Sequence, residues 1–147
     1  SSPGRIDNEI IKLIDFEYSG MNTRASDIAN TFCECCDMNN LKPDYETEYP
    51  TVEEQNIFLE SYIRESDEQL AHELDNNSDS SDNSFGSWNT FLSAARDEIG
   101  KQTLVSHLGW ACWSMVQLHE SSIDFDYLTY AKIRLDGYYL FKEKYWR

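Results

Sequence analysis

The chain has 147 residues, 40% apolar and 14% aromatic, enough for the core of one domain or one lobe of a larger one. Its formal charge of −15 and pI near 4.4 argue against nucleic acid and against an anionic membrane surface, both of which would repel it. The same charge suits a cationic substrate or a metal ion, or it serves only to keep the protein soluble. No apolar run approaches the ~18 residues of a membrane span. The first residues, SSPGRIDNEI, lack both a basic-plus-apolar leader and an initiator Met, so the chain reads as a fragment or a processed product.

Residues 10–16, IIKLIDF, are short, rich in Ile and Leu, and read as a buried strand. Ser19, Gly20 and Asn22 form the loop after it. Residues 24–38 read as a helix with Ala25, Ile28, Phe32 and Cys35 or Cys36 on its core face. Asp27, Asn30 (or Thr31) and Glu34 recur at the same spacing on another face. Residues 39–50 are a polar connection containing Pro43 and Pro50. Thr51 and Glu54 then fit a capping box, in which the Thr oxygen takes one free N–H and the Glu reaches back to another. The helix they start carries Val52, Leu59, Ile63, Leu70 and Leu74 and is expected to end near Leu74.

The stretch 75–87, DNNSDSSDNSFGS, buries too little apolar surface to offset its ordering entropy and reads as a disordered acidic insertion. Residues 88–120 are helical, with a break expected at Gly100 and a face of Leu104, Leu108, Ala111 or Cys112, and Met115. The last helix, within 123–145 and starting near Asp124, carries Leu128, Ala131, Leu135 and Tyr138. The expectation is a mainly α (α+β) unit with one strand, four or five helices and no internal repeat.

Cys33, Cys35 and Cys36 form C-x-C-C, which is not zinc-knuckle spacing, and the His residues are scattered. Buried thiols in a reducing cytosol are the simpler reading. Asp15 and Glu17 flank a Phe where the strand hands over to the helix that carries Asp27 and Glu34. That concentration of carboxylates is either a solvated face or a site for cations. Trp110 and Trp113 lie three apart and share a helix face, as do Tyr127 and Tyr130. Aromatic faces around one pocket hold a quaternary ammonium at about 0.5–2 kcal/mol each. The alternative is that these rings are core, and spacing does not decide between the two.

The run Ile14-Asp15-Phe16-Glu17-Tyr18, followed by Asn22, Arg24, Asp27, Ile28, Asn30, Phe32 and Glu34, resembles the choline/ethanolamine kinase family. The resemblance continues at Tyr49-Pro50, through Ser106-His107-Leu108, Trp110-x-x-Trp113, Ser114 and Gln117, and closes with Ser122 to Tyr127, Tyr130-Ala131 and Arg134. It covers nearly the whole chain outside the acidic stretch. It implies the C-terminal part of the large lobe of a protein-kinase-like fold. It also implies a cytoplasmic enzyme that uses ATP and Mg²⁺ to phosphorylate the hydroxyl of choline or ethanolamine, in phospholipid head-group supply. Any homodimer would form through regions outside this chain.

By the same resemblance Asp15 matches the metal-binding aspartate, counterpart of the Asp in D-F-G. Glu17 supports that metal, or forms a salt bridge within its loop. Tyr18, Glu34, Trp110, Trp113 and Tyr130 match positions lining the amino-alcohol pocket, while Arg24, Asp27 and Asn30 tie loop to helix. Thr31 stands where the family usually has His, and Asn39 where some choline kinases have another aromatic. Phe32-Cys33-Glu34 leans towards choline and Ile123 to Asp126 towards ethanolamine; choline is favoured.

The largest departure is that the catalytic-loop motif H-x-D-x-x-x-x-N does not occur in these 147 residues. Two further readings therefore stand beside a kinase portion that is inactive by itself. One is a non-catalytic quaternary-ammonium-binding module, or pseudoenzyme. The other is an acidic helical interaction domain whose aromatics are only core.

Overall fold

Two glycines decide how near the two long helices of this protein come to each other. The structure, a computed structural model, describes residues 14, 16–37, 40, 42–77 and 86–146. They form six helices in chain order: α1 (Arg24–Cys33), α2 (Tyr45–Glu48), α3 (Val52–Ser66), α4 (Glu68–Asn76), α5 (Trp88–Glu120) and α6 (Tyr127–Tyr145). α6 runs back along α5, pairing Ser114 with Tyr127, His107 with Gly137 and Gly100 with Tyr145. A Cβ on Gly137 would lie 2.5 Å from His107 Cε1 and 2.8 Å from the Tyr45 hydroxyl. A Cβ on Gly100 would enter the Tyr145 ring. Gly100 therefore does not break α5, which runs unbroken over the whole expected span. Its missing side chain is the space a neighbouring aromatic fills.

The buried face of α5 is Leu92, Ile99, Gly100, Thr103, Leu104, His107, Ala111 and Ser114. It is rich in small and polar residues, so apolar periodicity finds only part of it: Leu104 and Ala111 of the expected face are buried. Leu108 and Met115, expected inside, are 45% and 42% exposed. In α6 the expected stripe is also met in part, with Ala131 buried and Tyr138 packed on the core. Leu128 and Leu135 are exposed, while Tyr127, Ala131, Arg134, Gly137 and Phe141 face inward. Ile28, Ala29, Phe32 and Cys33 of α1 complete the core with Tyr49, Leu59, Leu92, Ile99, Leu104, Ile133 and Phe141. Cys33 and Cys36 are buried, and burial pushes their thiols up to about 11 and about 12.

Local chemistry sets the helix ends. Thr23 caps α1 by accepting from Ser26 N. α1 stops at Cys33, short of the expected residue 38, because the next bonds tighten to i→i+3, from Cys35 N to Phe32 O and from Cys36 N to Cys33 O. α2, inside the expected polar connection, starts at Asp44, whose side chain accepts from Glu46 N. The Thr51–Glu54 capping box forms as read from the sequence. The helix it starts does not reach Leu74 unbroken. Asp67 leaves helical geometry and its side chain caps α4 by accepting from Leu70 N, so α3 and α4 are separate. α6 begins at Tyr127, later than expected, because Asp126 takes the N–H of Thr129.

Residues 10–13 and Asp15 of the expected strand lie outside the described residues, and Ile14 and Phe16 are exposed and extend no sheet. No strand occurs among the described residues. Asn39, and residues 78–85 of the expected insertion, also lie outside them. Asp75 and Asn76 belong to α4. Asp75 takes both terminal nitrogens of Arg64 at 2.9 Å and the Trp88 indole N–H at 2.9 Å, with the Arg64 guanidinium 4.9 Å above the Trp88 ring. Hydrogen bonds from Arg64 and Trp88 hold its carboxyl down at about 2. No helix among the described residues is long and apolar enough to cross a membrane.

His107 sits where α1, α5 and α6 meet, fully buried, with Nε2 3.8 Å from Cys33 Sγ and its ring stacked on Phe141. Its Nδ1 has no partner among the described residues. Burial, then the charge of Arg134, push its pKa down from 6.5 to about 3. The folded state thus holds it neutral, while the unfolded chain protonates it below about pH 6.5. Its contribution is complete above that pH and is lost as pH falls towards about 3. Stability should fall by about 1.4 kcal/mol per pH unit across this window. Urea midpoints from pH 7 to 4 should show the slope, and His107→Gln should flatten it. In the same assay Gly137→Ala and Gly100→Ala should each destabilise by about 1–3 kcal/mol through overpacking, without loss of helix by circular dichroism.

Candidate functional site

The loop before α1 is short and polar, and it carries one large ring. Ser19 N donates to Phe16 O at 2.9 Å, turning the chain around Tyr18. Asn22 then fixes the helix start, with its Nδ2 donating to Ser26 Oγ at 3.1 Å and its Oδ1 accepting from Thr23 N at 2.8 Å. Trp110 and Trp113 stand on the side of α5 that meets this loop. The Trp113 indole N–H donates to the Tyr18 hydroxyl at 2.9 Å. The Trp110 indole N–H donates to Asn30 Oδ1 at 2.8 Å, and Ser106 Oγ donates to the same oxygen at 2.9 Å. Asn30, expected to tie loop to helix, instead ties α1 to α5.

The rings meet edge to face. Centroids lie 5.4 Å apart for Trp110–Trp113, 6.1 Å for Tyr18–Trp110 and 6.4 Å for Tyr18–Trp113. Tyr130 at 6.5 Å and Tyr127 at 6.0 Å continue the cluster from Trp113 into α6. Phe125, which the sequence reading did not single out, packs 5.8 Å from Tyr130. Edge-to-face packing leaves ring faces presented rather than stacked away, the geometry in which a π face can meet a cation. An open cleft of about 960 Å³ borders the cluster, lined by Tyr18, Asn22, Asp27, Asn30, Trp110 and Trp113 among others.

Glu34 and Tyr130 do not line that cleft. They are joined to each other through Arg134, which is 1% exposed. Arg134 Nη2 donates to Glu34 Oε1 at 2.9 Å and to the Tyr130 hydroxyl at 2.8 Å, and its Nε donates to the same hydroxyl at 3.0 Å. Its guanidinium lies 5.2 Å from the Tyr130 ring centre and 5.8 Å from that of Trp110. Burial alone would lower the pKa of Arg134, but Tyr130 and Glu34 outweigh it and the net shift is upward. Burial raises the Tyr130 phenol despite the cation beside it. Arg134 was legible only as part of a motif. A charged residue within the inward face of α6, four residues after Tyr130, was the available signal.

Asp15 lies outside the described residues, and Glu17 is exposed. Among the described residues no three His, Cys, Asp or Glu side chains converge as metal ligands.

The family model described as choline/ethanolamine kinase matches residues 5–139. The chain is 35% identical, over 94% of its length, to the probable choline kinase 2 of Arabidopsis thaliana. It is 39% identical, over 95% of its length, to a probable ethanolamine kinase of Nematostella vectensis. Choline kinase alpha of Mus musculus is 36% identical over 91% of the chain. The chain spans 35%, 36% and 28% of the lengths of these relatives. A match that runs through the loop of Tyr18, through α1 and α5 and into α6 leaves one assignment: the chain belongs to the choline/ethanolamine kinase family.

Proposed function

We propose that this chain supplies the amino-alcohol end of a choline/ethanolamine kinase, the C-terminal part of the large lobe of a protein-kinase-like fold. The enzyme moves the γ-phosphoryl group of ATP to the hydroxyl of choline or ethanolamine. The observation that carries this reading is the edge-to-face corner of Tyr18, Trp110 and Trp113 bordering an open cleft on a strongly acidic chain. The acidic field draws in a small cation, and the ring faces hold it without a counter-ion in contact. Held by its ammonium end, the substrate keeps its hydroxyl free for in-line attack, so the role of these residues is orientation. Asp15 and Glu17 are the carboxylates we assign to the Mg²⁺ that the family implies, with ATP as co-substrate. The cytoplasm is the compartment this reading implies.

A second reading keeps the pocket and drops the chemistry, a quaternary-ammonium-binding module. It rests on the same Tyr18, Trp110 and Trp113 corner, which needs no catalytic group to hold an ammonium. Titration with choline should quench or shift the tryptophan emission saturably. Trp110→Ala and Trp113→Ala should each weaken binding by roughly threefold to thirtyfold, the worth of one cation–π contact. A saturable response untouched by both substitutions rules out the aromatic corner. Incubated with ATP, Mg²⁺ and choline, the 147-residue chain should form no phosphocholine. Measurable product would show that phosphoryl transfer does not need the motif it lacks.

A further inference from the structure

Asn30 of α1 meets two donors that stand one turn apart on α5, and all three residues line the cleft. Its Oδ1 accepts from the Trp110 indole N–H at 2.8 Å and from Ser106 Oγ at 2.9 Å. An indole N–H can only donate, so the carboxamide oxygen, and not its NH2 group, faces Trp110. The bond from Ser106 by itself would join the two helices. The bond from Trp110 does something further. An indole can turn about its Cβ–Cγ bond, and this hydrogen bond selects the orientation that puts Nε1 on Asn30. In that orientation the ring meets Trp113 at 79° and Tyr18 at 72°, edge to face. The two faces of the ring are not equivalent. The Arg134 guanidinium lies over it, 5.8 Å from its centre, and a second cation is repelled from that side. Which face the cleft receives therefore matters to a cationic ligand.

We propose that Asn30 is a positioning residue of this site: by holding the Trp110 indole through its N–H, it presents the ring face away from Arg134 to the ammonium end of the substrate. The inference rests on the ammonium-binding reading given above. Asn30 acts through Trp110 and needs no contact of its own with the ligand. An acceptor is the chemistry the position requires. An apolar side chain of the same size would leave the indole N–H and the Ser106 hydroxyl without their partner, and the ring would be free to turn. Because the bond is made in the wall of the cleft, a change in it is felt where the ligand binds.

The test is a double-mutant cycle on the choline affinity of the 147-residue chain, read by titration calorimetry. Asn30→Leu, close in size but without an acceptor, should weaken choline binding by about threefold to tenfold. Trp110→Phe keeps a ring face and has no N–H to be held. In that background Asn30→Leu should change Kd by less than about twofold. Asn30→Asp, which retains both acceptor bonds, should bind choline at least as tightly as the wild type. A merely structural Asn30 would cost the same factor with Trp or Phe at position 110. That additive result overturns the proposal, as does weakened binding by Asn30→Asp, while choline binding by the wild type keeps the site reading intact. Should circular dichroism show Asn30→Leu unfolded, replacing Trp110 with β-(3-benzothienyl)alanine decides, since it keeps the fused ring and removes only the N–H. Weakened binding then supports the proposal and an unchanged Kd overturns it. No choline binding by the wild type takes down the site reading and the proposal together.

Discussion

The close approach of α6 to α5 is the constraint on which the rest of the structure depends. Two helices meet at this distance only where one of each facing pair of residues has no side chain to give up. Gly137 admits the His107 ring and Gly100 admits the Tyr145 ring, so aromatic planes from one helix lie against bare backbone of the other. Contact of that kind is dense, and its gain is dispersion summed over many atoms. It also fixes the register. With His107 opposite Gly137, Tyr127 comes beside Ser114, which donates to its carbonyl at 2.6 Å, and Tyr130 comes beside Trp113. The aromatic corner is thus a by-product of how two glycines seat two rings.

What the sequence disclosed follows from which signals are local. The capping box at Thr51 and Glu54, and the full extent of α5, depend on residues near each other in the chain, and both were legible. The inward face of α5 was legible only in part, at Leu104 and Ala111. Its buried positions include Gly100, Thr103, His107 and Ser114, so the usual equation of apolar with buried selects Leu108 and Met115 instead. The split at Asp67 needed a decision between continuing a helix and capping the next one, which one side-chain oxygen settles. At the site, the shared face of Trp110 and Trp113 could be read from their spacing, and so could that of Tyr127 and Tyr130. That Tyr18 would join the Trp pair across 95 residues of chain could not. The resemblance supplied that grouping. It assigned no partner to Glu34, because a buried arginine declares its company only in three dimensions.

Charge is distributed in this molecule against its overall sign. The surface is acidic, yet the side chain buried beside the aromatic cluster is a guanidinium. Burying an unpaired cation costs several kcal/mol, of order 5. Arg134 avoids most of that through Glu34, the Tyr130 phenol and two ring faces, although its Nη1 has no partner among the described residues. Burial first, and the charge of Arg134 second, keep His107 neutral. One buried cation thus couples the protonation state of the helix seam to the geometry of the site.

The cluster of Arg64, Asp75 and Trp88 has a consequence of another kind. It fastens the end of α4 to the beginning of α5 through side chains alone. Whatever chain connects those two points begins and ends at a fixed anchor. The helices on either side are therefore insulated from changes in that connection. The separation between the end of α4 and the beginning of α5 is thus set by three side chains and not by the chain that joins them.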